Sequence, residues 1–103
     1  MRRDSDWQSC QHYVYIATNK SGTLYTGMTD DLVKRLIQHR TGSSRFTARY
    51  RIGKLLFYEV AADRHEALAR ERQIKGWLRE KKMALVRSVN PGLRDLSRDI
   101  EAS

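Results

Sequence analysis

Two short runs rich in β-branched and aromatic residues lie on either side of a turn near the start of the chain. Residues 12–18 read His-Tyr-Val-Tyr-Ile-Ala-Thr, and residues 23–28 read Thr-Leu-Tyr-Thr-Gly-Met. Residues of these types favour extended strands. The intervening Asn19-Lys20-Ser21-Gly22 has the composition of a turn, and Gly22 is available for a positive φ. The sequence therefore predicts that the fold begins with a β-hairpin.

The register of this hairpin decides whether the Tyr15 and Tyr25 phenols share one face of the sheet. A four-residue loop pairs Thr18 with Thr23 and sends the two phenols to opposite faces. A five-residue loop pairs Ala17 with Thr23 and places the phenols directly opposite each other on one face. A shared site requires the second register or a bulge that restores it, and the sequence leaves both registers open.

Further helices and one more strand are expected after the hairpin. Residues 29–31, Thr-Asp-Asp, supply capping groups for a helix that runs to about Arg40. The apolar run 54–60 predicts a third strand, suited to the middle or best-covered part of the sheet. Asp63, with Glu66 three residues later, predicts a capping box at the start of a second helix.

This second helix continues through Ile74 at least, and Gly76 either ends it, kinks it or is tolerated within it. A further helical segment over residues 79–89 stops at Asn90-Pro91-Gly92. The order β-β-α-β-α-α does not alternate strands and helices regularly. We therefore predict an α+β domain with a small, mainly antiparallel three-stranded sheet flanked by helices.

The 103 residues are expected to form one domain. We predict a flexible N-terminal arm over residues 1–11, a folded domain over residues 12–96 and a C-terminal tail over residues 97–103. One cysteine, Cys10, excludes an internal disulfide, and no apolar stretch resembles a signal peptide or a membrane span. A cytoplasmic location is expected.

The positive charge is clustered. The chain carries 20 Lys and Arg against 12 Asp and Glu, a formal net charge of +8, and residues 40–54 include five cations and no acid. Arg predominates, and its planar fork binds phosphate oxygens in a bidentate way. This pattern favours a nucleic-acid partner over a merely solvated face. The residues expected to follow the backbone or stack on unpaired bases are Arg40, Arg45, Phe46, Arg49, Tyr50, Arg51 and Lys54.

Polar side chains interrupt the apolar faces of two predicted helices. Glu71 lies in the apolar arc formed by Ala67 and Ile74, and the cations of the same helix project largely to other faces. A carboxylate there is costly unless it is compensated, so it is either a salt-bridged structural residue or a ligand for Mg²⁺. In the first helix, Arg35 lies four residues before His39, so the two are neighbours beside the hairpin. Together these side chains indicate a polar cleft.

This ordered set of residues resembles the GIY-YIG nuclease domain, and it is most similar to small, stand-alone GIY-YIG proteins of bacteria. The first motif falls on Tyr13-Val14-Tyr15 and the second on Tyr25-Thr26-Gly27. The resemblance covers roughly residues 12–96 and extends to the N-terminal nuclease domain of the endonuclease that acts in bacterial excision repair. The site residues that it implies are Tyr15, Tyr25, Arg35, His39, Glu71 and Asn90.

The resemblance implies a Mg²⁺-dependent or Mn²⁺-dependent endonuclease that hydrolyses DNA in a structure-directed or weakly specific way, in DNA repair or processing. Glu71 would bind the metal ion, and Arg35 would contact the scissile phosphate. Tyr25, or less favourably Tyr15, would accept a proton from the attacking water. His39 would orient that water or exchange protons.

The implied role of Asn90 is to position the Glu71 carboxylate or the metal's waters. Met28 stands where the excision-repair nuclease has a lysine that helps to deprotonate a tyrosine. A nucleic-acid-binding module without catalysis is therefore the second hypothesis, and a scaffold that uses only the basic loop is the third. The expected partner is DNA, branched or single-stranded, with RNA left open. No membrane partner is expected, and the oligomeric state is left open.

Overall fold

The computed structural model describes residues 11–19, 22–41 and 53–97. In this part of the chain, three strands and three helices follow one another in the predicted order β-β-α-β-α-α. The α+β class is therefore confirmed. The elements are β1 (His12–Thr18), β2 (Leu24–Thr29), α1 (Leu32–Thr41), β3 (Lys54–Ala61), α2 (Arg64–Lys75) and α3 (Arg79–Val89). No helix among the described residues combines the length and apolar character of a membrane span.

β1 is the central strand of the sheet, which has the order β2-β1-β3 and is antiparallel throughout. The prediction that residues 54–60 form the best-covered strand is therefore wrong, because β1 takes partners on both sides and β3 lies at an edge. Val60 remains 57% exposed on β3. The apolar composition of β3 reflects an irregularity opposite Ile16 and Ala17, where Leu56 is an extra residue and three consecutive side chains are buried.

Neither of the two predicted hairpin registers is observed, since Thr18 pairs with Leu24. The reason is the side chain of Asn19, whose Oδ1 accepts a hydrogen bond from the Thr23 amide at 3.0 Å. The Gly22 amide donates to the Asn19 carbonyl at 3.1 Å, and Gly22 adopts the predicted positive φ of 86°. The Asn19 side chain thus takes the hydrogen bond of the Thr23 amide, so Thr23 belongs to the loop and strand pairing begins at Leu24.

Side chains alternate between the two faces of the sheet. On one face, called the α2 face, Val14, Ile16 and Phe57 pack with buried residues of α2 and α3. On the other, called the α1 face, Tyr15 and Ala17 pack with residues that include Leu32 of α1 and Leu96. The helices therefore approach the sheet from both sides.

Both predicted helix caps are confirmed. The Asp31 carboxylate accepts from the Lys34 amide at 3.0 Å at the start of α1. At the start of α2, Asp63 accepts from the Glu66 amide at 2.8 Å, while the Glu66 side chain accepts from the Ala62 amide at 2.8 Å. The bonds to Asp31 and Asp63 satisfy amides that the first turn of a helix leaves unpaired, and the Glu66 bond ties that turn to the residue before the cap. Local sequence therefore sets the start of each helix.

Gly76 ends α2, and its amide donates to carbonyls of the last turn. Leu78 then precedes α3 and is 78% exposed, so it does not extend the apolar stripe of α2. Near the C-terminus, the Leu96 amide donates to the Leu55 carbonyl at 2.8 Å. Ser97, the last described residue, is fully buried. Residues 1–10 and 98–103 lie outside the described part, and the predicted arm and tail stay predictions.

Thr26 presents a test of packing on the α2 face. Its side chain is 3% exposed, and the hydroxyl has no hydrogen-bond partner among the described residues. Thr26→Val removes this unsatisfied group at nearly constant volume, so we expect the free energy of unfolding to rise by about 1 kcal/mol in urea denaturation. Thr18→Val is the matched control, because the Thr18 hydroxyl donates to the Thr23 carbonyl at 2.9 Å. It should lower stability, and a gain in both variants would contradict this account.

Candidate active site

The observed register places the Tyr15 and Tyr25 side chains together on the α1 face. Tyr15 pairs with Gly27 and Tyr25 pairs with Ala17, so the two phenols are diagonal neighbours and not a direct pair. Their ring centroids lie 6.1 Å apart with the planes tilted by 48°. Tyr15 and Tyr25 therefore share one face of the sheet, as the register with Ala17 opposite Thr23 would have placed them. The direct pairing of Tyr15 with Tyr25 that this register implies is not observed.

Gly27 allows the Tyr15 ring to approach the backbone of β2. A Cβ atom built at Gly27 would lie 2.6 Å from the Tyr15 hydroxyl oxygen and 2.8 Å from Cζ. Any side chain at this position would displace the phenol. The close approach indicated by the glycine is thus made by a tyrosine of the neighbouring strand.

Tyr15 is buried, and its surroundings favour the protonated phenol. Burial is the largest cause that raises its pKa, followed by the interaction with Tyr25, and Glu71 acts in the same direction. The Arg35 guanidinium opposes this shift and lowers the pKa of Tyr15, although it does not outweigh burial. Tyr15 and Tyr25 also share a side-chain hydrogen bond. The phenols, the guanidinium and the carboxylate therefore lie close enough to influence one another.

An open pocket joins Arg35 of α1 to Glu71 of α2. It lies where β1 begins and β2 ends, and it is lined by residues of two helices that pack on opposite faces of the sheet. Its lining residues are His12, Met28, Thr29, Asp30, Arg35, Arg64, Leu68 and Glu71. Two residues of the predicted set, Arg35 and Glu71, therefore lie on one pocket wall, whereas Tyr15, Tyr25 and Asn90 do not line it.

The Glu71 side chain is 14% exposed and faces this pocket. Its Oε2 lies 3.3 Å from Nζ of Lys75, which is 53% exposed. The expectation that the cations of α2 project to other faces is wrong for Lys75 and for Arg64, which lines the pocket. The reason is that residues four apart on a helix are neighbours and long side chains reach along its surface. Because its partner is a solvent-exposed ammonium, the carboxylate is not enclosed in a buried ion pair.

The donor groups fit a hard divalent cation that retains most of its waters. Among residues 11–19, 22–41 and 53–97, no group of three or more His, Cys, Asp or Glu side chains forms a metal cage. Mg²⁺ is commonly bound by one or two carboxylates, with waters and substrate phosphate oxygens completing its shell. Glu71 supplies such a carboxylate, and Asp30 lies on the same pocket wall.

His12 is a pocket residue outside the set of site residues predicted from the sequence. It is half-buried, and its Nδ1 is enclosed without a hydrogen-bond partner among the described residues. The signal that could have identified it is strand alternation, since His12, Val14 and Ile16 occupy the same face of β1. That face leads toward α2 and Glu71.

Asn90 does not lie in the pocket wall. Its Nδ2 donates to the Leu56 carbonyl at 3.0 Å and to the Arg94 carbonyl at 2.9 Å, and its Oδ1 accepts from the Arg94 amide at 3.1 Å. The Asn90 side chain thus hydrogen-bonds the segment that follows α3 to the backbone of β3. Asn90 therefore has a structural role, and the positioning role expected for it at Glu71 stays a prediction.

Most of the predicted nucleic-acid contacts lie outside the described residues, namely Arg45, Phe46, Arg49, Tyr50 and Arg51. The backbone of His39 and Arg40 lies in α1, but their side chains are outside the described part as well. Lys54 is exposed and pairs with Thr18, at the end of β1 opposite to His12. A strand of this length separates its ends by about 20 Å, so Lys54 is remote from the pocket.

Comparison with known proteins assigns the family. The protein-family model described as the GIY-YIG catalytic domain matches residues 11–84 of this chain. The chain belongs to the GIY-YIG family, which implies nuclease-type activity on a nucleic acid and the use of a divalent metal ion. The resemblance drawn from the sequence is therefore confirmed.

Within this family, the chain is similar to UPF0213 proteins. That of Staphylococcus saprophyticus is 40% identical over 77 residues, covering 74% of this chain and 94% of the relative. The UPF0213 protein of Haloquadratum walsbyi is 40% identical over 78 residues, which cover 72% of this chain and 84% of the relative. The solution NMR structure of a UPF0213 protein from Bacillus halodurans has a TM-score of 0.55 and 31% identity, covering 82% of this chain and 92% of that chain.

The structural role of Asn90 can be tested by truncation. Asn90→Ala leaves a buried carbonyl of β3 without its donor, so we expect the free energy of unfolding to fall by about 2–4 kcal/mol. Urea denaturation measures this loss, and Ser88→Ala in the exposed last turn of α3 is the control. Unchanged stability in Asn90→Ala, with loss of function, would instead support the role at Glu71.

Proposed function

We propose that this protein is an endonuclease that hydrolyses DNA phosphodiesters with Mg²⁺ or Mn²⁺ bound at Glu71. The observation that carries the proposal is the pocket in which Arg35 and Glu71 meet beside the Tyr15–Tyr25 pair. Arg35 and Glu71 line the pocket, whereas the phenols lie outside its wall, and the electrostatic influence of both charges on Tyr15 places that phenol nearby. Each is of a type that phosphodiester hydrolysis requires: a cation for the phosphate, an oxygen ligand for a metal and a phenol for proton transfer.

Glu71 is the proposed metal ligand, and the bound ion would stabilise negative charge on the scissile phosphate. A substrate phosphate would supply further oxygen ligands, which fits a site with few protein carboxylates. Lys75 balances the charge of Glu71 in the free protein. As an exposed side chain, its ammonium can swing away when the carboxylate binds a cation.

Arg35 is the proposed phosphate contact. It is half-buried in the pocket wall, and a guanidinium can donate two parallel hydrogen bonds to nonbridging oxygens. A positive group held in place at this position would stabilise charge that increases during the reaction. Arg64, exposed on the same wall, is available for a neighbouring phosphate.

Tyr25 is the proposed proton acceptor, and Tyr15 supports it. Because burial raises the pKa of Tyr15, this phenol is a poor base at neutral pH. As a protonated neighbour it can donate a hydrogen bond to a Tyr25 phenolate and stabilise it. Tyr25 is less buried than Tyr15, which leaves it more accessible to water. The proton-transfer and water-orienting role of His39 stays a prediction, and His12 offers a second imidazole on the pocket wall.

The charge distribution supports DNA as the substrate, since the net charge is +8 and residues 40–54 carry no acid. So short a basic domain has little room for base readout, which favours structure-directed cleavage, as in DNA repair or processing. A reducing cytoplasm suits such an enzyme with its one cysteine.

The competing function is binding to nucleic acid without cleavage. Met28 favours it, because an apolar side chain lines the pocket next to Thr29 and Asp30 where a basic group would assist proton removal. This alternative requires salt-dependent binding of DNA with no nicking at any divalent metal concentration. Tyr25 would then have no chemical role.

Cleavage of labelled flapped, branched, single-stranded and duplex DNA tests the proposal. We expect Mg²⁺-dependent nicking that falls by about 100-fold or more in Glu71→Ala and in Arg35→Ala, since each removes stabilisation of the transition state. Lys75→Ala is the matched control on the same helix. It should stay active and reach half-maximal rate at a lower Mg²⁺ concentration, because the competing ammonium is gone. Undiminished activity in both site variants would rule out these assignments.

Because the proposed roles of Tyr25 and Tyr15 differ, replacing each by Phe should lower kcat by different factors. Tyr25→Phe should lower kcat by about 100-fold, in the range of a lost general base. Tyr15→Phe should cost about tenfold or less, because it removes a supporting hydrogen bond. The reverse order of losses would assign the base to Tyr15.

A further inference from the structure

Three side chains at the outer edge of the α1 face form a surface that the proposed chemistry does not use. Tyr13, Tyr58 and Val60 belong to it, and we call it the tyrosine edge. Tyr58 is 36% exposed and Val60 is 57% exposed. The rings of Tyr13 and Tyr58 lie 6.3 Å apart in an edge-to-face arrangement at 67°.

This surface is continuous with the proposed active site. Tyr58 pairs across the strands with Tyr15, and Val60 pairs with Tyr13. The residue before Tyr13 is His12, whose side chain points to the other face and lines the pocket. The start of β1 therefore carries the pocket wall on one side and the tyrosine edge on the other.

Described elements leave Tyr58 and Val60 exposed, whereas Tyr13 is half-buried against the α1-face cluster and its hydroxyl donates to Oε1 of Gln11 at 2.9 Å. On the α1 face, Leu32 and Leu96 pack over the cluster of Tyr15, Ala17 and Leu55, whereas α2 and α3 pack on the opposite face. Large apolar and aromatic groups that stay exposed beside a site commonly mark a binding surface.

The charge around the tyrosine edge suits a polyanion. The carboxylate of β3, Glu59, points to the α2 face, where Arg70 neutralises it at 2.7 Å. No unpaired acid on β3 therefore opposes a phosphate backbone that runs along this side of the sheet. The net charge of the chain is +8, which favours an acidic partner over a neutral one.

We propose that the tyrosine edge stacks unpaired bases that flank the cleaved phosphate, so that the substrate is single-stranded or flapped DNA and not continuous duplex. The inference rests on the proposed function, because the pocket defines where the phosphate lies. Aromatic side chains bind any base through its π-face, without sequence preference. Bases within a duplex are stacked on each other and present no face to Tyr58, so this contact selects for unpaired strands.

The test measures binding in the absence of cleavage, with every variant built on full-length Glu71→Ala protein. Fluorescence anisotropy compares a single-stranded oligonucleotide, a flapped duplex and a blunt duplex. Tyr58→Ala should weaken binding of the single strand and of the flap by about tenfold, within the range of one lost stacking contact. Binding of the blunt duplex should change by less than about twofold. Tyr58→Phe keeps the ring and should bind like the parent protein.

Leu78→Ala is the matched control, because Leu78 is an exposed apolar residue that precedes α3. It should leave all three affinities unchanged. A 2-aminopurine base in the single strand should lose fluorescence on binding to the parent protein and keep it in Tyr58→Ala.

Equal weakening for single strand and duplex, or no weakening for either, would overturn the stacking proposal. So would concentration-dependent self-association that Tyr58→Ala abolishes, since a second copy of the chain would then occupy this edge. Failure of the proposed function is separate: it appears as intact, selective binding by a wild-type protein that does not nick DNA with any divalent metal.

Discussion

The packing of the Tyr15 ring over Gly27 is the contact on which the arrangement of the site depends. It places a buried phenol directly against the backbone of β2, where a Cβ atom would lie 2.6 Å from its oxygen. Because successive residues of a strand point to opposite faces, a shift of the pairing by one residue would move either Tyr15 or Tyr25 to the far side of the sheet. The contact therefore keeps both phenols on the α1 face and near Arg35.

Opposite helices reach the same pocket because it lies beside an edge strand. Arg35 comes from the helix on one face and Glu71 from the helix on the other, and both line the pocket with Thr29 at the end of β2. A pocket in the middle of the sheet could draw on one face only. The central position of β1 adds a second consequence, since adjacent residues at its start serve different surfaces. His12 lines the pocket, and Tyr13 belongs to the tyrosine edge.

The negative charge of Glu71 is balanced by Lys75, but the two side chains do not form a buried ion pair. Glu71 has an exposed ammonium as its partner, and Arg64 is exposed on the same wall. By contrast, the Arg70–Glu59 pair is short, and it fastens α2 to β3. The chain thus uses one ion pair to hold the fold and leaves another open to exchange for a cation or a phosphate. This difference follows from position, because α2 presents Arg70 toward the sheet and Lys75 toward solvent.

The sequence by itself determined the elements and the family. Strand composition, the Asp31 and Asp63 caps and the stop after residue 89 depend on groups a few residues apart, so they can be read without a fold. The motif residues were identified by type and order. The hairpin register, the edge position of β3, the structural use of Asn90 and the presence of His12 in the pocket were decided only by tertiary structure. Each depends on contacts between segments distant in sequence, such as the bond from Asn90 to the Leu56 carbonyl, and no local pattern encodes which distant groups will meet.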